Sequence, residues 1–465
     1  MTDLTKGSAL KQIFFFAIPY LIGNMFQQFY NVADMVIVGR TLDPLAYTAV
    51  ASTGSLVWFA SGAINSLTLG FSVVVAQFFG SRDERNVKKA FAGAIWLSAI
   101  LSVLLSVICV IFARPMLELL RTPADIIDRS HAYLVWIFAG LAATALYNLL
   151  SNVIRALGDS RTPLYFLIVA CVLNIILDFV FIAFFGMDTD GAGLATVLAQ
   201  LISGLFCIVY IKKRQPQLHV TKSDLRPNWS MLLRLLKVGI PMAFLNMVLS
   251  IGSIIMQFVT NGLGTYYVTS QATGAKIEQF VTMPILSFGS AVSVFAAQNF
   301  GANKLSRVLE GGRKTVLLCC CWSTIAALIL IPFGHFIVRL LAGEVDQVVV
   351  DNSYRFILVN TALSFILAPL VTYKSILQSV NRTRWTVISG FTEIIGRAGV
   401  AMAVLLLMNH WEVLDESQGF FVMCFANPAA WLMGLLTILP DYMFLARRFR
   451  RMIADQTLFQ QEPNE

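Results

Sequence analysis

Four polar residues stand out from long apolar runs. In QQFYNVADMVIVGR (27–40), Asp34 is the only charged residue between Ile13 and Val38. Further on, Asn174 and Asp178 are spaced four apart in CVLNIILDFVFIAFF, which puts both on one helical face. Thr196 opens the next apolar run. A charge held at the centre of a bilayer costs about 2.5–3.5 kcal/mol on insertion scales and marks an ion or proton site. Two carboxyls in one dry site cannot both stay charged unaided. Either one takes a proton, or a small cation such as sodium at Asp34 and Asp178 neutralises both, ligated by oxygens like those of Asn and Thr.

The elements that position these residues are membrane helices. The chain of 465 residues is 57% hydrophobic and 13% charged, with a mean hydropathy of +0.73, where a soluble domain carries about 25% charged residues. A helix rises about 1.5 Å per residue, so some 20 apolar residues cross the hydrocarbon core. Twelve apolar segments of that length follow one another, near 13–38, 46–79, 90–112, 132–155, 163–187, 192–211, 235–260, 265–299, 315–338, 352–379, 385–408 and 418–445. None shows the alternation of a barrel strand, and the first is too long for a cleaved signal peptide and lacks a small-residue cleavage site. The fold class expected is an all-α integral membrane protein.

Lysine sets the expected orientation. Lys6, Lys11, Lys88, Lys89, Lys212, Lys213, Lys222, Lys237, Lys304, Lys314 and Lys374 are assigned to the N-terminus and the even-numbered connections. Arg447, Arg448, Arg450 and Arg451 cluster in the tail, while the last odd-numbered connection holds Glu412, Asp415 and Glu416. The positive-inside rule then puts both termini in the cytoplasm. The net charge of +8 is on this reading topology rather than a nucleic-acid surface, because no soluble domain gathers it. Seven cysteines, without CxxC pairs or histidine clusters, predict no structural zinc and no disulfide framework.

The chain repeats itself. FFFAIPYLIGNM (14–25) aligns with LKVGIPMAFLNM (236–247), AQFFGSRDERNVKKA (76–90) with AQNFGANKLSRVLEG (297–311), and IRALGDSRTP (154–163) with LQSVNRTRWT (377–386). Six helices separate the matching elements, so two parallel six-helix repeats are expected around a central cavity. The expected organisation is an N-lobe over 1–211, a cytoplasmic linker over 212–234, a C-lobe over 235–446 and a cytoplasmic tail over 447–465. Pro19 and Pro241 fall at equal register in the first helix of each half. Each is either a tolerated kink or a hinge that straightens during transport.

These motifs resemble those of the multidrug and toxic compound extrusion (MATE) transporters. The resemblance rests on QQFYNVADMVIVGR, AQFFGSRDERNVKKA, ALGDSRTP, the Asn174–Asp178 spacing and the repeats, and covers residues 5–450. It implies a secondary antiporter in a bacterial cytoplasmic membrane, exchanging lipophilic organic cations for protons or sodium, without an enzymatic step or a cofactor and as a monomer. In the prokaryotic branch that it resembles, an N-lobe coupling site maps onto Asp34, Asn174, Asp178, Thr196 and Asn148. Asn148 lies closer to the cytoplasmic end than the other four. The other large bacterial branch carries a glutamate in helix 7, and AFLNMVLSIGSIIMQ has none.

The second half holds its own charges: Lys276 and Glu278 in one segment, Glu393 and Arg397 in another. The spacing of the latter two predicts a salt bridge within one helix. Substrate-facing candidates are Gln27, Tyr30, Asn31, Met256, Gln257 and Glu278, suited to apolar burial and to contact with a cation. No GxxxxGK[ST] loop is present for nucleotide. Two rival classes remain. A lipid-linked precursor flippase of the same superfamily needs a strongly cationic cavity. A membrane prenyltransferase needs paired acid-rich motifs for magnesium.

Overall fold

The computed structural model describes residues 3–221, 223–343, 345–409 and 413–461; Lys222 of the linker and Glu412 of the acidic connection lie outside them. Each expected apolar segment is helical, and the described residues form α-helices joined by short turns. Two compact units result, one of Met1–Thr5 with Ile18–Met247, the other of Lys6–Ala17 with Val248–Glu465. The chain therefore passes from one unit to the other inside its first and ninth helices, next to Pro19 and a few residues after Pro241.

The first unit is built from α1 (Ala9–Thr41), α2 (Pro44–Ser52), α3 (Gly54–Gly80), α4 (Glu84–Leu119), α5 (Ile127–Ala139), α6 (Leu141–Ala156), α7 (Arg161–Asp178), α8 (Thr189–Arg214) and the start of α9 (Trp229–Gly262). Eleven helices of the described chain are long and apolar enough to span a membrane, and α5 with α6, bent by 46°, supplies a twelfth. The bend falls at Gly140, where a Cβ would stand 2.1 Å from Cγ2 of Val197 on α8. The α5–α6 backbone can approach α8 that closely only without a side chain there. A similar approach joins α3 and α9, where a Cβ on Gly70 would stand 2.5 Å from the Gly239 Cα. Beyond Asp178, α7 continues as a π-helix over Phe179–Phe184. The over-long expected segment 46–79 is two helices, with Asp43 accepting from the Ala46 amide at the start of α2.

The second unit holds the rest of α9, α10 (Thr265–Gly301), α11 (Leu305–Ala342), α12 (Gln347–Ser379), α13 (Thr383–Asn409), α14 (Glu416–Met423) and α15 (Ala426–Gln461). The first turn of α1 belongs to it: Arg307 donates to the Gly7 carbonyl at 2.7 Å and to Gln12 Oε1 at 3.2 Å. In the first unit Arg234 of α9 donates likewise to Gln77 Oε1 at 2.8 Å.

The repeat is written into the backbone. Left-handed residues fall in pairs at Arg82 and Asn303, Arg121 and Gly343, and Gly158 and Asn381, which are 221, 222 and 223 residues apart. Two of these pairs close helix ends with the same bond, from the amide after the left-handed residue to the carbonyl five residues back: Asp83 to Phe78 and Lys304 to Asn299, Asp159 to Ile154 and Arg382 to Leu377. The ALGDSRTP motif is thereby explained. Gly158 takes the left-handed turn, and Asp159 accepts from the Arg161 and Thr162 amides, the Thr162 hydroxyl and Tyr210. Burial pushes the Asp159 carboxyl up, but the bonds from Tyr210 and Thr162 outweigh it and hold the group below its ordinary value. In the second half Arg382 occupies the place of Asp159 and pairs with Asp441.

Lys374 is not a connection residue: it lies inside α12, largely buried.

Candidate functional site

Four helices of the first unit meet at the carboxylates. Tyr30 and Asp34 stand one turn apart on α1, and Asn174 and Asp178 one turn apart on α7. Thr196 comes from α8 and Tyr133 from α5. Asp34 is 5% exposed, and Asn174 and Asp178 are fully buried. The Asp34 and Asp178 carboxyls are in hydrogen-bond contact with each other. The Asn174 amide, oriented by its neighbours, donates to Asp178 Oδ2 at 3.0 Å and accepts from the Thr196 backbone amide at 3.2 Å. Tyr30 donates its hydroxyl to Thr196 Oγ1 at 3.0 Å. One oxygen of each carboxyl, Asp34 Oδ1 and Asp178 Oδ1, is buried without a partner.

The surroundings are apolar. Ile37, Val38, Leu134, Ile137 and Ile182 pack into one apolar cluster with Tyr133, and Ile175 lies against it. The π-helical turn after Asp178 is a frequent companion of functional sites, because the inserted residue re-aims the preceding side chains. At the rim, Arg129 at the start of α5 bonds Asp43 Oδ2 and Asp188 Oδ2, both at 2.8 Å, and its carbonyl accepts from Thr189 at the start of α8. One guanidinium thus ties together the starts of α2, α5 and α8, the last two of which carry Tyr133 and Thr196.

Two carboxyls that touch must share a proton or be separated by a cation. Among the described residues no group of three or more His, Cys, Asp or Glu side chains is gathered for a metal ion. The oxygens gathered here are those of two carboxyls, the Asn174 amide and the Tyr30 and Thr196 hydroxyls.

Of the residues singled out from sequence, the structure brings Asp34, Asn174, Asp178 and Thr196 together. Asn148, half-buried on α6, makes none of the bonds that join them. Tyr30, singled out as substrate-facing, is part of the carboxylate network instead. Gln27 and Asn31 are exposed on α1, and Gln257 is exposed and donates to Asn261 at 2.7 Å. Met256 is buried in an apolar cluster with Val259, Phe356 and Phe420. Tyr133 and Arg129 went unnoticed in the sequence, where nothing but a hydroxyl among apolar neighbours and one loop arginine marked them.

The charges of the second unit are arranged differently from expectation. Glu393 does not pair with Arg397: its Oε1 takes Lys374 Nζ at 2.5 Å and Ser389 at 3.1 Å. A lysine arriving from the neighbouring α12 reaches the carboxylate end-on, whereas Arg397 is turned toward α15, donating from Nε to Asn427 Oδ1 at 3.2 Å. Asn427 in turn donates to both oxygens of Glu278, at 3.1 and 3.2 Å. Arg397 also lies against α9, where a Cβ on Gly252 would stand 2.7 Å from Nη1.

A bundle of duplicated membrane-length helices holding a buried carboxylate pair is the build of a membrane carrier. The chain belongs to the MATE family: the MatE family model matches it twice, over residues 19–180 and 241–401, which are the two repeats. It is a multi-pass membrane transporter rather than an enzyme. It is 29% identical over 453 residues to "Probable multidrug resistance protein YoeA" of Bacillus subtilis (strain 168), covering 96% of each chain. It is 22% identical over 405 residues to "Multidrug export protein MepA" of Staphylococcus saprophyticus, covering 87% of this chain and 88% of that one. The fold matches a solved outward-facing multidrug resistance MATE family transporter of the MOP superfamily, with a TM-score of 0.85 at 20% identity over 95% of this chain and 98% of the other.

Proposed function

We propose that this transporter exports lipophilic organic cations from a bacterial cell across the cytoplasmic membrane, in exchange for protons taken up at Asp34 and Asp178. The observation that carries this reading is the contact between the two buried carboxyls, backed by Asn174, Thr196 and Tyr30. A proton bridges touching carboxyls without moving them, whereas sodium needs several oxygens drawn around it, so the contact favours the proton. The multidrug names of the relatives agree with the substrate class. Gln27, Asn31, Gln257 and Glu278 are the candidate substrate contacts, Pro19 and Pro241 the hinges, and the monomer with both termini in the cytoplasm the working unit. Moving one charge through 100 mV supplies about 2.3 kcal/mol, enough for a roughly fiftyfold gradient of exchanged compound.

Efflux of ethidium from proteoliposomes under an imposed proton gradient or an imposed sodium gradient tests the reading. Transport driven by the proton gradient alone, and lost in Asp34→Asn and Asp178→Asn, is expected. Transport driven by sodium alone would replace the ion, and full activity in both variants would remove the site.

A further inference from the structure

Where the last helix leaves the apolar zone, α11 and α15 enclose a cavity of about 460 Å³ lined by Ser306, Leu309, Glu310, Arg313, Lys314, Leu317, Arg450 and Ile453. Three cations from two helices face one carboxylate, so the lining is doubly positive. Among the described residues no ion pair or hydrogen bond engages Arg313, Lys314 or Arg450, so their charge is free to meet a ligand. The apolar part of the lining has a continuation. Below Arg313 on α11, Leu317, Cys321, Ile325 and Leu328 follow at helical spacing on one outward face, and Leu317, Ile325 and Leu328 are 51%, 49% and 69% exposed. A charged pocket at the head of an apolar stripe has the two halves of a phospholipid.

From this juxtaposition we infer that the α11–α15 cavity binds the headgroup of an anionic glycerophospholipid, with Arg313, Lys314 and Arg450 on the phosphate and one acyl chain along the Leu317–Leu328 face. Basic residues at a membrane edge each add to the attraction for anionic headgroups, and pockets between helices localise it. An arginine fork fits phosphate oxygens two at a time. Other basic tail residues, such as Arg447 and Arg448, lack the cavity and supply only diffuse attraction. The free phosphate ion shares the headgroup chemistry but makes no use of the stripe.

Native mass spectrometry of the delipidated full-length protein, titrated with dioleoylphosphatidylglycerol, dioleoylphosphatidylcholine or inorganic phosphate, tests this. Saturable retention of the phosphatidylglycerol is expected, at least about tenfold tighter than that of the phosphatidylcholine. The Arg313→Ala/Arg450→Ala pair should abolish that preference, Arg447→Ala/Arg448→Ala should leave it, and Arg313→Lys/Arg450→Lys, which keeps the charge, should retain most of it. Equal retention of the two lipids, or equal loss in the two alanine pairs, would overturn the site. Displacement of the lipid by millimolar phosphate would assign the cavity to a free anion instead.

Discussion

Arg397 rests against Gly252, whose missing side chain makes its room, and the repeat sets these two residues in the places of Asn174 and Tyr30. The register is set for α1 and α9 by the motifs at 14–25 and 236–247, 222 residues apart, and for α7 and α13 by the left-handed turns at Gly158 and Asn381 just before them, 223 apart. The last helices of the two halves are offset by 231, since Tyr210 bonds Asp159 as Asp441 bonds Arg382. That offset sets Asn427 in the place of Thr196. One half thus links Tyr30, Thr196 and Asn174 around two acids, and the other links Gly252, Asn427 and Arg397 around a resident guanidinium. The second half places the Arg397 guanidinium where the first places the Asn174 amide.

If the second half is internally neutralised, its buried ion pair is structural. Glu393→Gln should lower stability by about 3–5 kcal/mol by leaving Lys374 unpaired. Lys374→Met with Glu393→Met should recover most of it. Thermal unfolding in detergent measures the stability, and the ion dependence of transport should be unchanged in the double variant.

Within the first half, the order of loss should follow the network. Asn174→Leu removes the donor to Asp178 and should cut ion-driven efflux at least about tenfold. Tyr30→Phe removes a bond one step further out and should cost less, within the roughly 0.5–1.5 kcal/mol of a single hydrogen bond. Initial rates in proteoliposomes give both numbers.

The Gly140–Val197 approach sets where α8 lies, and Thr196 is the neighbour of Val197. Gly140→Ala should destabilise by about 1–3 kcal/mol through overpacking and lower efflux. Val197→Ala should offset that loss, and the coupling between the two sites is read from a double-mutant cycle.

The Arg129 rim carries a pH signature. The Ala46 amide and the Arg129 guanidinium hold the Asp43 carboxyl below its ordinary value. A carboxyl whose folded value is depressed stabilises above its unfolded value, about 3.9, and loses that contribution as pH falls through the folded value. Asp43→Asn should therefore lower the melting temperature equally at pH 7 and pH 5. The gap from wild type should narrow below about pH 4.

Much of this was legible in the sequence. Membrane helices announce themselves because every backbone group must be bonded within the span, and the repeated motifs at 14–25 and 236–247 showed the duplication. Asp34 and Asp178 stood out because an acid in oil needs a reason. Contacts between side chains on different helices were not legible. Lys374 and Arg397 could each claim Glu393, and only the helix rotations decided it. Breaks at Thr53, Gly140 and Cys424 were invisible in hydropathy, which counts apolar residues and not the close approaches that turn the chain. The π-helical turn after Asp178 has no compositional mark at all.

If Asp34 and Asp178 exchange a proton for substrate, linkage makes that exchange directly measurable, since a ligand that competes with a proton must release it. The measurement is proton release on adding ethidium to the purified protein in weakly buffered detergent, followed with a pH indicator dye. Wild type should release protons in proportion to ethidium bound, and Asp34→Asn should bind ethidium while releasing none. Equal release from the variant, or binding by wild type with no release, would rule out proton exchange at Asp34 and Asp178.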